Sequence, residues 1–180
     1  MVRLGRPREQ MPANTCIFHS RVVYDVLRHF GLPARPVPVM VSAHDSAAAD
    51  FIWGNSAGEP GMTVICGRGN FGHEAGTEWY NGHLVVVSGR HVMDLTLDQF
   101  SQPDIDIRLS PVVFESLEIS RGRPDLIHLG ETTVCYQPIQ DSTFYGPSWS
   151  RSSLHRDLAR KIIRRVDRAR RKPLDIALAY

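Results

Sequence analysis

The chain has 180 residues, 42% of them hydrophobic and 22% charged, and a net charge of +2, so it can bury the core of one domain. This balance excludes an intrinsically disordered chain, and no apolar stretch approaches the roughly 20 residues that a membrane-spanning helix needs. Three cysteines without a CxxC pair exclude a disulfide framework and a zinc ribbon, so we expect a cytoplasmic location and neither metal nor cofactor.

The first predicted element is a helix from about Thr15 to Phe30. Asn14 or Thr15 supplies a polar side chain for its N-cap, and Gly31 followed by Pro33 ends it. Its apolar stripe repeats at intervals of three and four residues, as expected of a helix that packs one face on a core. The stripe consists of His19, Val22, Val23, Val26, Leu27 and Phe30.

The middle of the chain predicts short strands separated by loops. We expect an extended strand over Arg35–Val41, a polar loop over Ser42–Pro60, a buried strand over Met62–Cys66 and a glycine-rich loop over Gly67–Gly82. Residues Gly67–Gly72 fit the pattern GxGxxG, but a dinucleotide-binding fold needs a helix to open there. The residues that follow have no helical periodicity, which argues against dinucleotide binding.

Two further strands, Gly82–Val87 and His91–Thr96, flank the turn residues Ser88 and Gly89. Two later strands are predicted over Val112–Leu117 and Thr132–Gln137. A helix, then a run of mostly antiparallel strands, then a terminal helix is the order of an α+β protein rather than of a doubly wound sheet.

The predicted hairpin brings His83 and Asp94 together. With Ser88 and Gly89 as a two-residue turn, His83 lies directly opposite Asp94, with Cβ atoms about 4.5–5.5 Å apart. A carboxylate at that distance can accept the imidazole N–H and leave the other ring nitrogen free as a base. A three-residue turn would break this pairing, so the prediction depends on the turn.

Cys16 is the candidate nucleophile. It lies in the first turn of the predicted helix, where unpaired backbone N–H groups and the helix dipole favour a thiolate and can bind an oxyanion. Cys66 and Cys135 lie inside apolar strands, where a thiol is inert. Three segments therefore predict a triad of Cys16, His83 and Asp94, against the plainer alternatives of a core cysteine and a structural His–Asp hydrogen bond.

Several of these segments resemble the transglutaminase-like superfamily. They are Asn14–Cys16, the helix and its end Arg28–Arg35, the strand Gly82–Val87 with the histidine, and His91–Thr96 with the aspartate. The resemblance covers roughly residues 14–100. It implies a papain-like core in which an N-terminal helix with the cysteine packs on an antiparallel sheet with the histidine and aspartate. Arylamine N-acetyltransferases share this order of triad residues.

Some positions depart from the family pattern or add weaker candidates. Thr15 and Ile17 flank the cysteine where the family commonly has a small residue and an aromatic one, which leaves substrate and acceptor open. Gln10 precedes the cysteine by six residues, the spacing of the oxyanion glutamine in papain-like enzymes. Trp79 and Tyr80 are candidates for lining an acyl pocket, with ordinary loop anchoring as the alternative.

Charge is unevenly distributed along the chain. Residues 1–150 hold 11 arginines and 16 acidic residues, whereas residues 151–172 hold ten basic residues against two acidic ones. We therefore divide the chain into a catalytic domain, residues 1–148, and a basic helical extension, residues 149–180. The helix predicted from about Ser152 to Lys172 has an apolar stripe with arginines beyond it, so it either docks on the body or contacts an acidic partner, a membrane surface or nucleic acid.

The expected activity is acyl transfer by a cysteine nucleophile through a thioester, with a peptide or a small amide as substrate. Hydrolysis of an amide or peptide bond is favoured because water is the default acceptor. Two alternatives stay open. One is N-acyl or transglutaminase-type transfer to an amine, and the other is a non-catalytic nucleic-acid-binding module built on the arginine-rich helix.

Overall fold

The computed structural model of the protein describes residues 2–4, 15–52, 63–66, 70–74, 77–81, 83–101, 107–139 and 154–171. The helices in these ranges are α1 (Thr15–His29), α2 (Ser46–Ile52), α3 (Leu117–Ser120) and α4 (Leu154–Arg171). The strands are β1 (Val2–Leu4), β2 (Arg35–Asp45), β3 (Thr63–Cys66), β4 (Asn70–Glu74), β5 (Thr77–Asn81), β6 (His83–Ser88), β7 (His91–Asp94), β8 (Val112–Glu115), β9 (Asp125–Leu129) and β10 (Thr132–Pro138). Helices combined with a mostly antiparallel sheet confirm the predicted α+β class.

The long strand β2 organises the main sheet. It pairs with β6 through Arg35–Val39, with β3 through Val41–His44, and with β10 through Val39–Asp45. β7 and β8 extend the sheet from β6, β9 extends it from β10, and β1 joins β3 in the one parallel pair of the described sheet. The sheet is curled, and β2 pairs with β6 in its first half and with β3 in its second half.

The main core lies on one face of this curled sheet. Alternate residues of β2 are buried there, as the two-residue period of a strand requires, and they pack with residues of β6 and β10. Its members include Val37, Val39, Val41, Val85, Val134 and Tyr136. This core fixes the strands that carry the histidine and aspartate of the predicted triad.

The helix α1 is docked on β6 near the start of that strand. Cys16 and Ile17 pack against Leu84 in a second, smaller apolar cluster. One turn further along α1, the Ser20 hydroxyl donates a hydrogen bond of 2.8 Å to the Leu84 carbonyl. The helix is followed by Gly31, whose φ of +73° is the left-handed conformation typical of a C-terminal cap. The predicted position and end of this helix are confirmed.

Two of the predicted loops are wrong. In the segment 42–60, β2 continues to Asp45 and α2 follows, its start capped by the Asp45 carboxylate, which accepts a 2.7 Å hydrogen bond from the Ala48 N–H. The small polar residues stay extended because β2 pairs with two neighbouring strands there. In the segment 67–82, β4 and β5 form a hairpin. No helix opens at Gly72, which lies within β4, so the rejection of a dinucleotide fold holds.

The C-terminal helix α4 packs against α1. Its side facing the body includes the buried residues His155 and Ala159 and the half-buried residues Leu158, Ile162 and Val166. The helix therefore contributes to the packing of the body, as the docking alternative predicted. None of the helices in the described ranges is long and apolar enough to cross a membrane.

Candidate active site

The centre of the site is a hydrogen bond between His83 and Asp94. His83 Nε2 lies 2.7 Å from Asp94 Oδ2, and both side chains are fully buried. At this distance the imidazole donates its Nε2–H to the carboxylate, which leaves Nδ1 to face another partner. The contact predicted from the hairpin is confirmed, and it supplies a histidine whose ring orientation is fixed by a carboxylate.

The register of the hairpin differs from the prediction. Val86 faces Met93 and Ser88 faces His91, so the two-residue turn consists of Gly89 and Arg90 rather than Ser88 and Gly89. His83 and Asp94 are therefore a diagonal pair on one face of the sheet and do not lie directly opposite each other. Because the pairing differs from the predicted one by two residues, both side chains stay on the same face of the sheet. The imidazole is long enough to reach the carboxylate across the diagonal between the two positions.

Asp94 is held by two further donors. The Tyr136 hydroxyl donates to Oδ2 at 3.0 Å, and the backbone N–H of Thr96 donates to Oδ1 at 3.1 Å. Burial and the neighbouring charge of Asp94 raise the pKa of the Tyr136 hydroxyl, so it stays protonated as a donor. Three donors on one carboxylate offset the cost of burying its charge.

Cys16 belongs to the same cluster. It lies in the first turn of α1 with 7% of its surface exposed, and it is close enough to the His83 side chain to contribute to raising the pKa of that imidazole. The Ser20–Leu84 hydrogen bond ties the next turn of α1 to the residue after His83, which fixes the helix against the strand. The three residues of the predicted triad are thus brought together in one buried cluster.

Neighbouring groups raise the pKa of His83. Burial by itself would lower the pKa of His83, but the charge and hydrogen bond of Asp94, with smaller contributions from Cys16, raise it to about 10. At neutral pH His83 is therefore an imidazolium, in which both ring nitrogens are donors.

Two residues that the sequence reasoning missed also contact His83. Gln99, in the 3-10 turn Leu97–Phe100, has its side-chain Nε2 3.2 Å from His83 Nδ1. Phe100 packs edge-on against the imidazole with ring centroids 4.9 Å apart. The sequence does hold a signal for both residues. They lie in the short segment directly after the aspartate strand, and residues there are close to the end of β7.

Tyr136 was also missed as a site residue. The sequence does contain a signal for it, since Thr132, Val134 and Tyr136 alternate along a strand and share its buried face. A buried tyrosine needs a partner for its hydroxyl, and the charge of a neighbouring strand is a natural acceptor. Besides pairing with its sequence neighbour β9, β10 pairs with the distant strand β2, and this second pairing brings the hydroxyl to Asp94.

The weaker candidates do not enlarge the described site. Gln10 lies outside the described residues, and so do the side chains of Trp79 and Tyr80, whose backbones belong to β5. Cys135 is half-buried, and burial raises the pKa of its thiol, in line with the predicted inertness. Within the described part of the chain, no cluster of three or more His, Cys, Asp or Glu side chains is suited to hold a metal ion.

Comparisons with known proteins leave the family open. No protein-family description matches the chain, and no curated protein matches it. A crystal structure described only as a structural-genomics target is similar in fold, with a TM-score of 0.49 and 15% sequence identity. That match covers 87% of this chain and 70% of the other.

Proposed function

We propose that the protein is a cysteine-nucleophile acyl-transfer enzyme with a papain-like core, a triad of Cys16, His83 and Asp94, and a peptide or small amide substrate in the cytoplasm. The observation that carries the proposal is the position of His83, which is hydrogen-bonded to the Asp94 carboxylate at 2.7 Å and has the Cys16 side chain among the neighbours that raise its pKa. A nucleophile, a base and a carboxylate that orients the base are the parts that this chemistry needs.

The first half of the reaction forms an acyl-enzyme. The Cys16 sulfur attacks the carbonyl carbon of the substrate, forming a C–S bond while the carbonyl oxygen takes the negative charge. The backbone N–H groups of the first turn of α1 stabilise that oxyanion, with Gln10 as a proposed second donor. Nδ1 of His83 then gives its proton to the leaving amine, and the C–N bond breaks.

The second half releases the acyl group. Neutral His83 accepts a proton from a water molecule, whose oxygen attacks the thioester carbon, and the C–S bond breaks to return the thiolate and the imidazolium. Throughout both halves, the Nε2–H stays on His83 and donates to Asp94. Gln99 can hydrogen-bond to Nδ1 of His83 in both protonation states. Its amide N–H can donate to the neutral ring, and its amide oxygen can accept from the imidazolium.

The acyl acceptor distinguishes two versions of this activity. Hydrolysis is favoured because water is present at every exposed thioester, whereas transfer to an amine requires a binding site for that amine. Incubation of the protein with a thioester donor, with and without a primary amine, separates them by mass spectrometry of the products. Amide formation in preference to the free acid would replace hydrolysis with N-acyl transfer.

The test of the triad is alkylation by iodoacetamide at pH 6, with the modified cysteine located by mass spectrometry. A thiol with an ordinary pKa near ~8.5 is almost entirely protonated at this pH and reacts slowly. We expect Cys16 to react on the order of 100-fold faster than in the His83→Ala variant, because the thiolate needs the imidazolium.

The matched control is Cys135→Ala, which removes another described thiol and leaves the rate at Cys16 unchanged. Circular dichroism checks that His83→Ala retains the fold. Equal rates at Cys16 in the folded His83→Ala variant and in the wild-type protein would exclude the triad and leave a buried structural cysteine.

A further inference from the structure

The outer side of α4 is strongly basic. Six exposed basic residues form one continuous sector of the helix, which we call the basic face: Arg156, Arg160, Lys161, Arg164, Arg165 and Arg168. The described helix has two acidic residues: Asp167 is half-buried, and the exposed Asp157 lies 3.4 Å from Arg160, with both of those side chains about two-thirds exposed (68% and 67%). No other carboxylate in the described part of the chain pairs with these side chains, so the face is largely unneutralised.

The apolar side of α4 is already occupied. It packs against α1, with Ala159 buried to 3% exposure and the neighbouring apolar residues half-buried. A helix that lies in a membrane interface inserts a free apolar face between the lipids. The docked α4 has none to offer, so its outward surface presents charge without an insertion face.

Four arginines of the basic face are regularly spaced along α4. Arg156, Arg160, Arg164 and Arg168 follow one another at intervals of four residues, so they rise about 6 Å at a time and span about 18 Å of the helix axis. A guanidinium can bind a phosphate through two parallel hydrogen bonds. Double-stranded DNA carries one phosphate charge per about 1.7 Å of its axis, so several guanidiniums of this row can each find a phosphate at once.

The basic face is separate from the candidate active site. Two contacts of α4 lie towards the end of α1 or just beyond it: His155 Nε2 is 3.4 Å from Asp25 Oδ2, and the Arg170 guanidinium lies over the ring of Phe30, the residue after α1, at 4.6 Å. Cys16 precedes Asp25 by nine residues, about 13 Å along the helix axis. A ligand on the basic face therefore does not need to enter the catalytic cluster.

We infer that the basic face of α4 binds the phosphate backbone of nucleic acid without sequence preference. The charge of the remainder of the chain favours binding at this face. Residues 1–150 hold 16 acidic residues against 11 arginines, so the body repels a polyanion. Binding of this kind releases condensed counterions and is therefore strongly weakened by salt.

Fluorescence anisotropy with a labelled 20-base-pair duplex of mixed sequence measures this binding in the full-length protein at several salt concentrations. We expect log Kd to change with log salt with a slope magnitude of about 4 to 5, since each phosphate contact contributes about 0.9. The double variant Arg160→Glu/Arg164→Glu should bind at least about tenfold more weakly and lose about two units of that slope.

The matched control is Arg90→Glu/Arg121→Glu, which changes the net charge equally at two arginines that are 61% and 60% exposed elsewhere on the body. It should bind the duplex nearly as well as the wild-type protein. Equal weakening in both double variants, absence of binding at 50 mM salt (about 14 Å Debye length), or binding only to phosphatidylserine vesicles would overturn the inference.

The two proposals fail separately. Alkylation of Cys16 at pH 6 should be unchanged in Arg160→Glu/Arg164→Glu, and duplex binding should be unchanged in Cys16→Ala. Loss of binding with intact alkylation therefore concerns α4 alone, and the reverse concerns the triad alone.

Discussion

At the scale of single residues, the site depends on a charge balance inside a buried cluster. Asp94 carries the negative charge, and His83 next to it is protonated up to a pKa of about 10. Because the pKa of His83 is raised above its value of about 6.5 in an unfolded chain, the folded state binds this proton more tightly. Its contribution to stability is fully present below pH ~6.5 and is lost as the pH rises through about 10.

Asp94→Asn tests this balance. The variant leaves His83 without its counter-charge, so its free energy of unfolding at pH 6 should fall by on the order of 3 kcal/mol. The deficit should shrink as the pH approaches 10, where His83 is losing its proton in the wild-type protein as well. Urea unfolding at pH 6, 8 and 9.5 measures both.

Asp98→Asn is the matched control, since it neutralises an exposed carboxylate in the adjacent 3-10 turn. Its stability difference from the wild-type protein should be small at each of these pH values. A deficit in Asp94→Asn that stays constant from pH 6 to 9.5 would contradict a charged His83.

Residue types and local positions predicted part of this cluster. Cys16 at the start of a helix and the His83–Asp94 contact follow from patterns that span at most a few residues around each position. Gln99 and Tyr136 do not, because their roles depend on where a short turn and a strand from a distant part of the chain lie relative to Asp94. Sequence spacing carries no information about that pairing.

At the scale of elements, the hairpin between β6 and β7 decides whether the site exists. The register places Gly89 at the first position of the turn with a φ of +59°, a conformation in which side chains with a Cβ are strained. The predicted turn lies one residue too early in the chain. Because this error moves the partner of each residue by two positions, His83 and Asp94 still lie on the same face of the sheet, as predicted.

Gly89→Ala tests the turn. An alanine Cβ at this position would meet nothing within 4 Å, so the cost of the substitution comes from the backbone conformation alone. We expect a loss of about 1–2 kcal/mol in the free energy of unfolding, measured by urea denaturation. Gly89→Asn is the matched comparison, and it should lose less because asparagine tolerates the left-handed region better. Equal losses in the two variants would show that conformation is not the cause.

Other elements escaped prediction for a different reason. The predicted strand ends at Val41 and the observed β2 at Asp45, because the next residues, Ser42, Ala43 and His44, carry no strong strand preference. Their pairing with β3 and β10 overrides this local tendency. The β4–β5 hairpin was read as a loop because its glycines outweighed the strand-forming residues Thr77, Trp79 and Tyr80. Both errors arise where long-range pairing competes with local composition.

At the scale of the whole molecule, α4 joins the basic C-terminal segment to the body through α1. The predicted boundary at residue 148 follows the change in charge along the chain, but α4 also buries side chains against the helix that carries Cys16. Charge patterning alone does not reveal this packing, because the buried stripe and the basic face alternate within the same 18 residues. The basic extension therefore packs on the body of the protein and is not independent of it.

His155 sits at this junction and makes it sensitive to pH. It is 1% exposed, and neither ring nitrogen makes a hydrogen bond with a described residue, although Nε2 is 3.4 Å from Asp25 Oδ2. Burial lowers the pKa of His155, with Arg21 of α1 and Arg156 of α4 acting in the same direction and Asp25 opposing them. The folded protein therefore holds His155 in its neutral form.

His155→Gln tests this coupling, because glutamine is neutral at every pH. With a pKa lowered in the folded state, His155 contributes fully to stability above its unfolded value near ~6.5 and loses that contribution as the pH falls through the lowered value. The wild-type protein should therefore lose stability relative to His155→Gln between pH 8 and pH 5, as measured by urea unfolding. His128→Gln, which changes an exposed histidine bonded to Thr133 at 3.0 Å, is the control and should run parallel to the wild type. If the free energy of unfolding of His155→Gln changed with pH in the same way as that of the wild type, the α1–α4 junction would accept the charged ring. The junction would then have no part in the acid sensitivity of the fold.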